Sequence, residues 1–274
     1  MCERFGIDMI TVPIYPDGPD IELIEKLVSQ DSSIRGIWCV PKYSNPTGSI
    51  YSFEVINRLV QLCIKNKNFY IFWDNAYCVH HLTEQRVEIP NILKFAKENG
   101  VENNIFIFTS TSKITFPGGG IAILGSGKKN IEYYTLKKIL SLKTGDKINQ
   151  LRHVRFLKNT ENIYKHMDMH RKIIYPRFEL VNTILSYHFT YKEHISWNMP
   201  LGGYFILLQV YPGTAQKIYD ICKKKGVLLT KPNSIFPNRK DPMDNFIRLA
   251  PTHPSLKELE YAITILSDAI LSIK

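Results

Sequence analysis

No window of about 18 consecutive apolar residues occurs along these 274 residues, so a membrane span is not expected. The opening stretch, MCERFGIDMITV, brings charge in early and lacks a continuous apolar core, so it does not read as a secretory signal. Cysteine is sparse: five residues, at 2, 39, 63, 78 and 222, none in a C-x-x-C pair. That excludes a disulfide framework and suits reduced thiols in a cytoplasmic protein. There are no internal repeats and no low-complexity tract. Acidic residues run short, 25 against 35 Lys and Arg, for a net charge of +10. Such a balance can mark a nucleic-acid partner. Here the lysine clusters at 128–129, 137–138 and 223–225 fall on helix faces and loops with no interleaved aromatic platform. Neither nucleic acid nor membrane is expected as a partner.

What is present is a repeating order of apolar runs and amphipathic segments. Ile21, Ile24, Leu27 and Val28 have helical spacing. Residues 34–40, IRGIWCV, form a short apolar run ended by Pro41. Ser52 is placed to cap a helix carrying Val55, Ile56, Leu59, Val60 and Cys63. FYIFW (69–73) and IFIF (105–108) read as buried strands, with a helix near 90–99 between them. DMITVPI near the start also reads as a strand. Strands separated by helices predict a mostly parallel sheet with helices on both faces. Later residues differ. A charged amphipathic segment spans roughly 157–188, followed by short runs at 195–199, 204–210, 227–230 and 246–250, with helices near 214–225 and 255–273. The expected fold is therefore α/β: an incomplete, mostly parallel large-domain sheet over residues 1–155, then an interdomain helix and a smaller α+β domain over 156–274.

Three of these strands run into polar residues. IRGIWCV leads to Asn45-Pro46-Thr47-Gly48, FYIFW to Asp74-Asn75-Ala76-Tyr77, and IFIF to Thr109-Ser110-Thr111-Ser112-Lys113. In open α/β sheets ligands bind beyond the carboxyl ends of strands, so these residues can converge. Taken singly, each has a plainer reading. Asn45 to Gly48 suits an ordinary turn. Asp74 suits a helix cap, Tyr77 packing, and Lys113 a solvated loop. Two phosphate motifs are excluded. The glycines at 118–120 follow Lys113 where a P-loop has them before it, and Ile123 stands where the third glycine of G-x-G-x-x-G belongs. His166 and His170 lie one helical turn apart, but Met167 occupies the place of the glutamate in a zinc-binding H-E-x-x-H, leaving a surface or packing role. No metal is expected. His80 and His81 follow the Asp74 segment and line its wall.

Taken together, the strand ends suit one chemistry. A lysine in a partly dry crevice loses its proton more easily, and the neutral amine condenses with an aldehyde. Pyridoxal 5′-phosphate carries such an aldehyde. Its ring nitrogen calls for a carboxylate, its phenolate oxygen for neutral donors, and its phosphate for hydroxyls and backbone N–H groups. Lys113, Asp74, Tyr77 with Asn45, and Ser110 with Ser112 fill those roles.

The stretches SNPTG (44–48), DNAY (74–77), STSK (110–113) and NFIRLAP (245–251) resemble the class I/II aminotransferases of the fold-type I pyridoxal-phosphate family. The wording of WCVPKYSNPTG, FWDNAY, TSTSKITF and KINQLRHVRF is closest to the divergent bacterial aspartate aminotransferases. The resemblance implies that Lys113 is the catalytic Schiff-base lysine, that Asp74 pairs with the ring nitrogen, and that Tyr77 and Asn45 bind the phenolate oxygen. It implies that Ser110 and Ser112 hold phosphate, and that Arg248, with Asn45, binds the substrate carboxylate; without the family, Arg248 reads as an edge-strand surface residue. It implies amino transfer between aspartate or glutamate and a 2-oxo acid, and a homodimer at full length. Other expectations on the same fold are a lyase or decarboxylase, or a non-catalytic remnant serving dimerisation. Two departures stand out. Ile121 occupies the position where many relatives have a phosphate-binding arginine, leaving the backbone of 118–120 to serve. The family's N-terminal arm, phosphate turn and ring-stacking aromatic have no counterpart before residue 8, so the chain is expected to be N-terminally truncated, to bind the cofactor weakly and to transaminate poorly alone.

Overall fold

The computed structural model describes residues 2–273. A short hairpin, β1 (Ile14–Tyr15) and β2 (Gly18–Pro19), leads into α1 (Ile21–Gln30), whose first turn is closed by the Asp20 carboxylate accepting from Leu23 N–H. A four-stranded sheet follows, in the order β3 (Gly36–Cys39), β4 (Tyr70–Asp74), β5 (Ile105–Ser110), β6 (Ala122–Ser126). The first three strands are parallel and β6 is antiparallel to β5. Parallel neighbours need crossovers, and α2 (Phe53–Lys65) and α3 (Ile92–Glu98) supply them. Ser52 caps α2 as its sequence suggests, accepting from Val55 N–H.

The period-2 pleat sorts the sheet into two faces. Ile71, Trp73 and Ile105 pack with Ile24, Ile56, Leu59, Val60 and Ile92 from α1 to α3 in one buried cluster. The opposite face is aromatic. Trp38, Phe72 and Phe106 stand side by side, with ring centroids 5.8 and 5.6 Å apart and the rings nearly coplanar. Trp38 is 59% exposed. Tyr134 of α4 (Lys128–Leu142) meets Phe106 edge-on, so a helix reaches this face too. Asp74 lies two residues beyond Phe72 and therefore on the aromatic side, in register with Phe108.

After α4, α5 (Lys147–Leu157) and the long α6 (Thr160–Phe189) lead to a second, antiparallel sheet of β7 (Ser196–Trp197), β8 (Ile206–Gln209) and β9 (Phe246–Leu249). α7 (Ala215–Lys224) and α8 (Leu256–Leu271) complete this part. Its core joins Phe178, Val181 and Leu185 of α6 to Leu208, Ile247, Ile263 and Leu266. α8 begins with a full capping box between Ser255 and Glu258.

The structure corrects two expected strands. Residues 8–13 form no strand: the ladder is confined to Ile14–Tyr15, and Pro13 and Pro16, which lack N–H donors, flank it. Residues 227–230 also form no strand. Val227 is buried, but Leu228 is exposed and Pro232 follows closely. No helix among the described residues is long and apolar enough to cross a membrane, and all five cysteines are free.

Candidate active site

The ends of β3, β4 and β5 open on one crevice, closed on the far side by β9. Asn45 Oδ1 accepts from Arg248 Nη1 at 2.9 Å, joining residues 203 positions apart. The Arg248 guanidinium lies over the Phe205 ring at 4.4 Å. Phe205 and Tyr204 both meet the Tyr77 ring edge-on, and Lys113 Nζ sits 5.1 Å from the centre of that ring. Asn45, Arg248, Tyr77 and Lys113 thus form a connected set. Asp74 completes it electrostatically. Burial pushes its carboxyl above the usual range, against the opposing pull of the Lys113 charge, the Trp38 side chain and the Ala76 N–H. Asp74 caps no helix, because residues 76–79 form a turn, and it belongs to none of the ion pairs among the described residues. Burial likewise raises Tyr77, although Arg248 draws it down. Burial lowers Arg248, whose Nε is buried with no hydrogen-bond partner.

Lys113 departs from expectation. Its side chain is exposed, where a partly dry crevice was expected. The loop around it is made of Ser, Thr and Gly, which offer little apolar bulk to cover an ammonium group. The same small residues let the loop fold tightly. Thr111 N–H donates to the Ile121 carbonyl at 3.0 Å, and Ile121 N–H donates to Thr111 Oγ1 at 2.8 Å. Gly120 then lies directly on Ser112, where any Cβ would overlap the Ser112 side chain. Asn149 of α5 ties the glycine run down through the Gly119 carbonyl, 2.7 Å away. Ser110, Ser112 and the glycine run 118–120 therefore lie together in one tightly folded small-residue loop.

Three histidines and a tyrosine hold this loop. His80 Nε2 and Tyr204 OH each lie 3.1 Å from the Lys113 carbonyl oxygen. His166 Nε2 lies 2.8 Å from the Ile114 carbonyl. His153 Nε2 lies 3.0 Å from both Thr111 Oγ1 and Thr115 Oγ1. Only the position of His80 beside the Asp74 segment pointed this way, and His166 is more than the surface or packing residue that was expected.

The sequence profile of the aspartate amino-transferase family matches residues 1–272. The chain belongs to that family. It is 47% identical over 272 residues to a Mycolicibacterium smegmatis protein assigned as an aminotransferase, a match covering 99% of the chain and 63% of the relative. A solved aspartate transaminase from Corynebacterium glutamicum superposes with a TM-score of 0.95 at 37% identity, covering 98% of this chain and 63% of that one. The α-aminoadipate aminotransferase LysN of Thermus thermophilus, solved with N-(5′-phosphopyridoxyl)-L-leucine, shares the fold at TM-score 0.81 and 19% identity, covering 97% and 66%. The chain thus spans less than two thirds of the length of these relatives.

In this family member, burial moves two histidines beside the site far below their ordinary range. His80 and His81 both fall to about 4. A histidine held neutral by the fold adds stability that is complete above its unfolded pKa near 6.5 and is lost as pH falls toward 4. Stability is therefore expected to drop by roughly 1 kcal/mol for the buried His80 between pH 6.5 and 5.5, and by less for the half-buried, better screened His81. Urea titrations at the two pH values check this, with His80→Phe expected to flatten the dependence.

Proposed function

We propose that this chain carries the site for amino transfer between aspartate or glutamate and a 2-oxo acid, with pyridoxal 5′-phosphate held on Lys113. The observation that carries this reading is a half-buried carboxylate without an ion-pair partner sharing one crevice with an exposed lysine amine. The residues fit the cofactor. Asp74 awaits a cation, such as a protonated ring nitrogen. The Ser110 and Ser112 hydroxyls, with the backbone N–H groups of Gly118–Gly120, would hold the phosphate, with Ile121 in place of arginine. Arg248 brings a planar guanidinium, the fork that suits a carboxylate, to the same crevice, with Asn45 engaging only its Nη1. When bound, the cofactor supplies an aldehyde and an electron-withdrawing ring.

The chain's own groups then divide the work. Residues 1–155 bring the cofactor contacts and residues 156–274 bring the carboxylate clamp. Asp74 keeps a proton on the ring nitrogen. Tyr77 OH and the Asn45 amide are placed for the phenolate oxygen. Lys113 Nζ would take up the proton of the substrate α-carbon and return it. Arg248 holds the α-carboxylate in two-point contact, and Asn45 keeps the guanidinium plane turned toward the crevice. The family match and the relatives named for aspartate support the choice of substrate.

Borohydride reduction in the presence of pyridoxal 5′-phosphate tests this directly. The cofactor mass is expected on the tryptic peptide containing Lys113, and label on another lysine would remove Lys113 from the role. Arg248→Lys keeps the charge but loses the fork. KM for the amino acid is expected to rise about 10- to 100-fold while cofactor affinity changes little, as measured by a coupled assay and a fluorescence titration.

A further inference from the structure

We propose that His80 and Tyr204 are positioning residues for Lys113, acting on its peptide group to fix the direction in which its amine leaves the loop. This rests on Lys113 being the cofactor-bearing lysine. A carbonyl oxygen has two lone pairs, and on Lys113 both are engaged, by His80 Nε2–H and Tyr204 O–H at 3.1 Å each. With both taken, the 113–114 peptide plane is fixed, and with it the position of the Lys113 Cα from which the side chain departs.

Three features argue against simple packing. A carbonyl can only accept, so the His80 hydrogen must sit on Nε2. That leaves Nδ1 bare, buried and without a partner. A ring serving only to fill space would avoid that cost as phenylalanine. His80 is 3% exposed and anchored at both ends of its own backbone, donating from its N–H to the Tyr77 carbonyl at 3.1 Å and accepting at its carbonyl from Gly203 N–H at 2.8 Å. Tyr204 is equally constrained. Gly202, two residues before it, lies so close to the Tyr43 ring that any Cβ there would overlap it. The neighbour of Tyr204, Phe205, supports the Arg248 guanidinium at 4.4 Å. One dipeptide therefore ties the amine that does the chemistry to the platform of the arginine that holds the substrate, and sets the distance between them.

The test compares Tyr204→Phe, His80→Phe and His80→Gln with the parent chain. Tyr204→Phe removes one oxygen and keeps the ring. Glutamine places an amide N–H where His80 Nε2–H stands. Thermal melting identifies which variants fold. Two readouts follow: the rate at which borohydride fixes pyridoxal 5′-phosphate on Lys113, from peptide masses, and deuterium uptake at residues 113–116 in the cofactor-free chain. Tyr204→Phe and His80→Phe are expected to slow trapping on Lys113 roughly threefold to tenfold, to pass label to other lysines and to speed deuterium uptake, with His80→Gln restoring most of the rate. Parent-like trapping in Tyr204→Phe and His80→Phe would overturn the proposal and leave the role of Lys113 intact, as would a His80→Gln variant no better than His80→Phe. Absence of label on Lys113 in the parent itself would instead bring down the assignment of Lys113, and this proposal with it.

Discussion

Lys113→Ala is expected to abolish covalent capture of pyridoxal 5′-phosphate and to lower amino transfer by about 10⁴-fold or more, the scale seen when an enzyme loses the group that forms its covalent intermediate. Folding should barely notice. The Lys113 side chain is exposed and its charge meets the protein through the face of Tyr77. The loop is held through the Lys113 carbonyl, which alanine also carries. A stability change within about 0.5 kcal/mol is therefore expected by urea denaturation. The pairing of a large chemical loss with an intact fold is the discriminating result. Transfer from aspartate to 2-oxoglutarate at near-parental rate in Lys113→Ala would assign the chemistry elsewhere.

Asp74→Asn is the second large effect, and it too separates chemistry from stability. Asparagine keeps the shape but no longer holds a proton on a ring nitrogen. In a full-length version, transfer is expected to fall about 10²- to 10³-fold, the usual cost of removing one preorganised electrostatic contact. Stability should move the other way. Burial raises the Asp74 carboxyl, so the folded chain holds its proton more tightly than the unfolded chain does. Above the unfolded carboxylate range that group opposes folding, and a neutral amide at the same place relieves the penalty. Near neutral pH, Asp74→Asn is expected to fold at least as stably as the parent, as denaturant titration would show. A marked destabilisation with normal turnover would make Asp74 a structural residue.

Much of this was legible in the sequence, for identifiable reasons. β4 and β5 are continuous apolar runs, and the helices of the first sheet carry clean one-sided stripes, so the doubly covered parallel sheet could be expected. β6 escaped notice because Gly125 and its exposed or half-exposed side chains break any pattern. α4 escaped because none of its residues is buried, so no stripe was selected. Residues 8–13 were expected as a strand because they have strand composition, but composition supplies no partner. At the site, Asn45, Asp74, Tyr77 and Lys113 stood out as polar residues ending apolar strands, and Arg248 through the family motif. His153, His166 and Tyr204 did not, and His80 did only by its place beside the Asp74 segment. Three of these four act on the main-chain carbonyls of Lys113 and Ile114, and a carbonyl leaves no mark in a sequence.

That last property has an evolutionary consequence. His80, Tyr204 and His166 grip the peptide groups of Lys113 and Ile114, which every amino acid possesses. The shape of the loop is thereby insulated from the identity of the residue at position 113. A single codon change there can silence the chemistry while the loop, the crevice and the fold stay in place. Descendants of such a gene would inherit a ready-made cleft without its reaction, free to be recruited for binding alone.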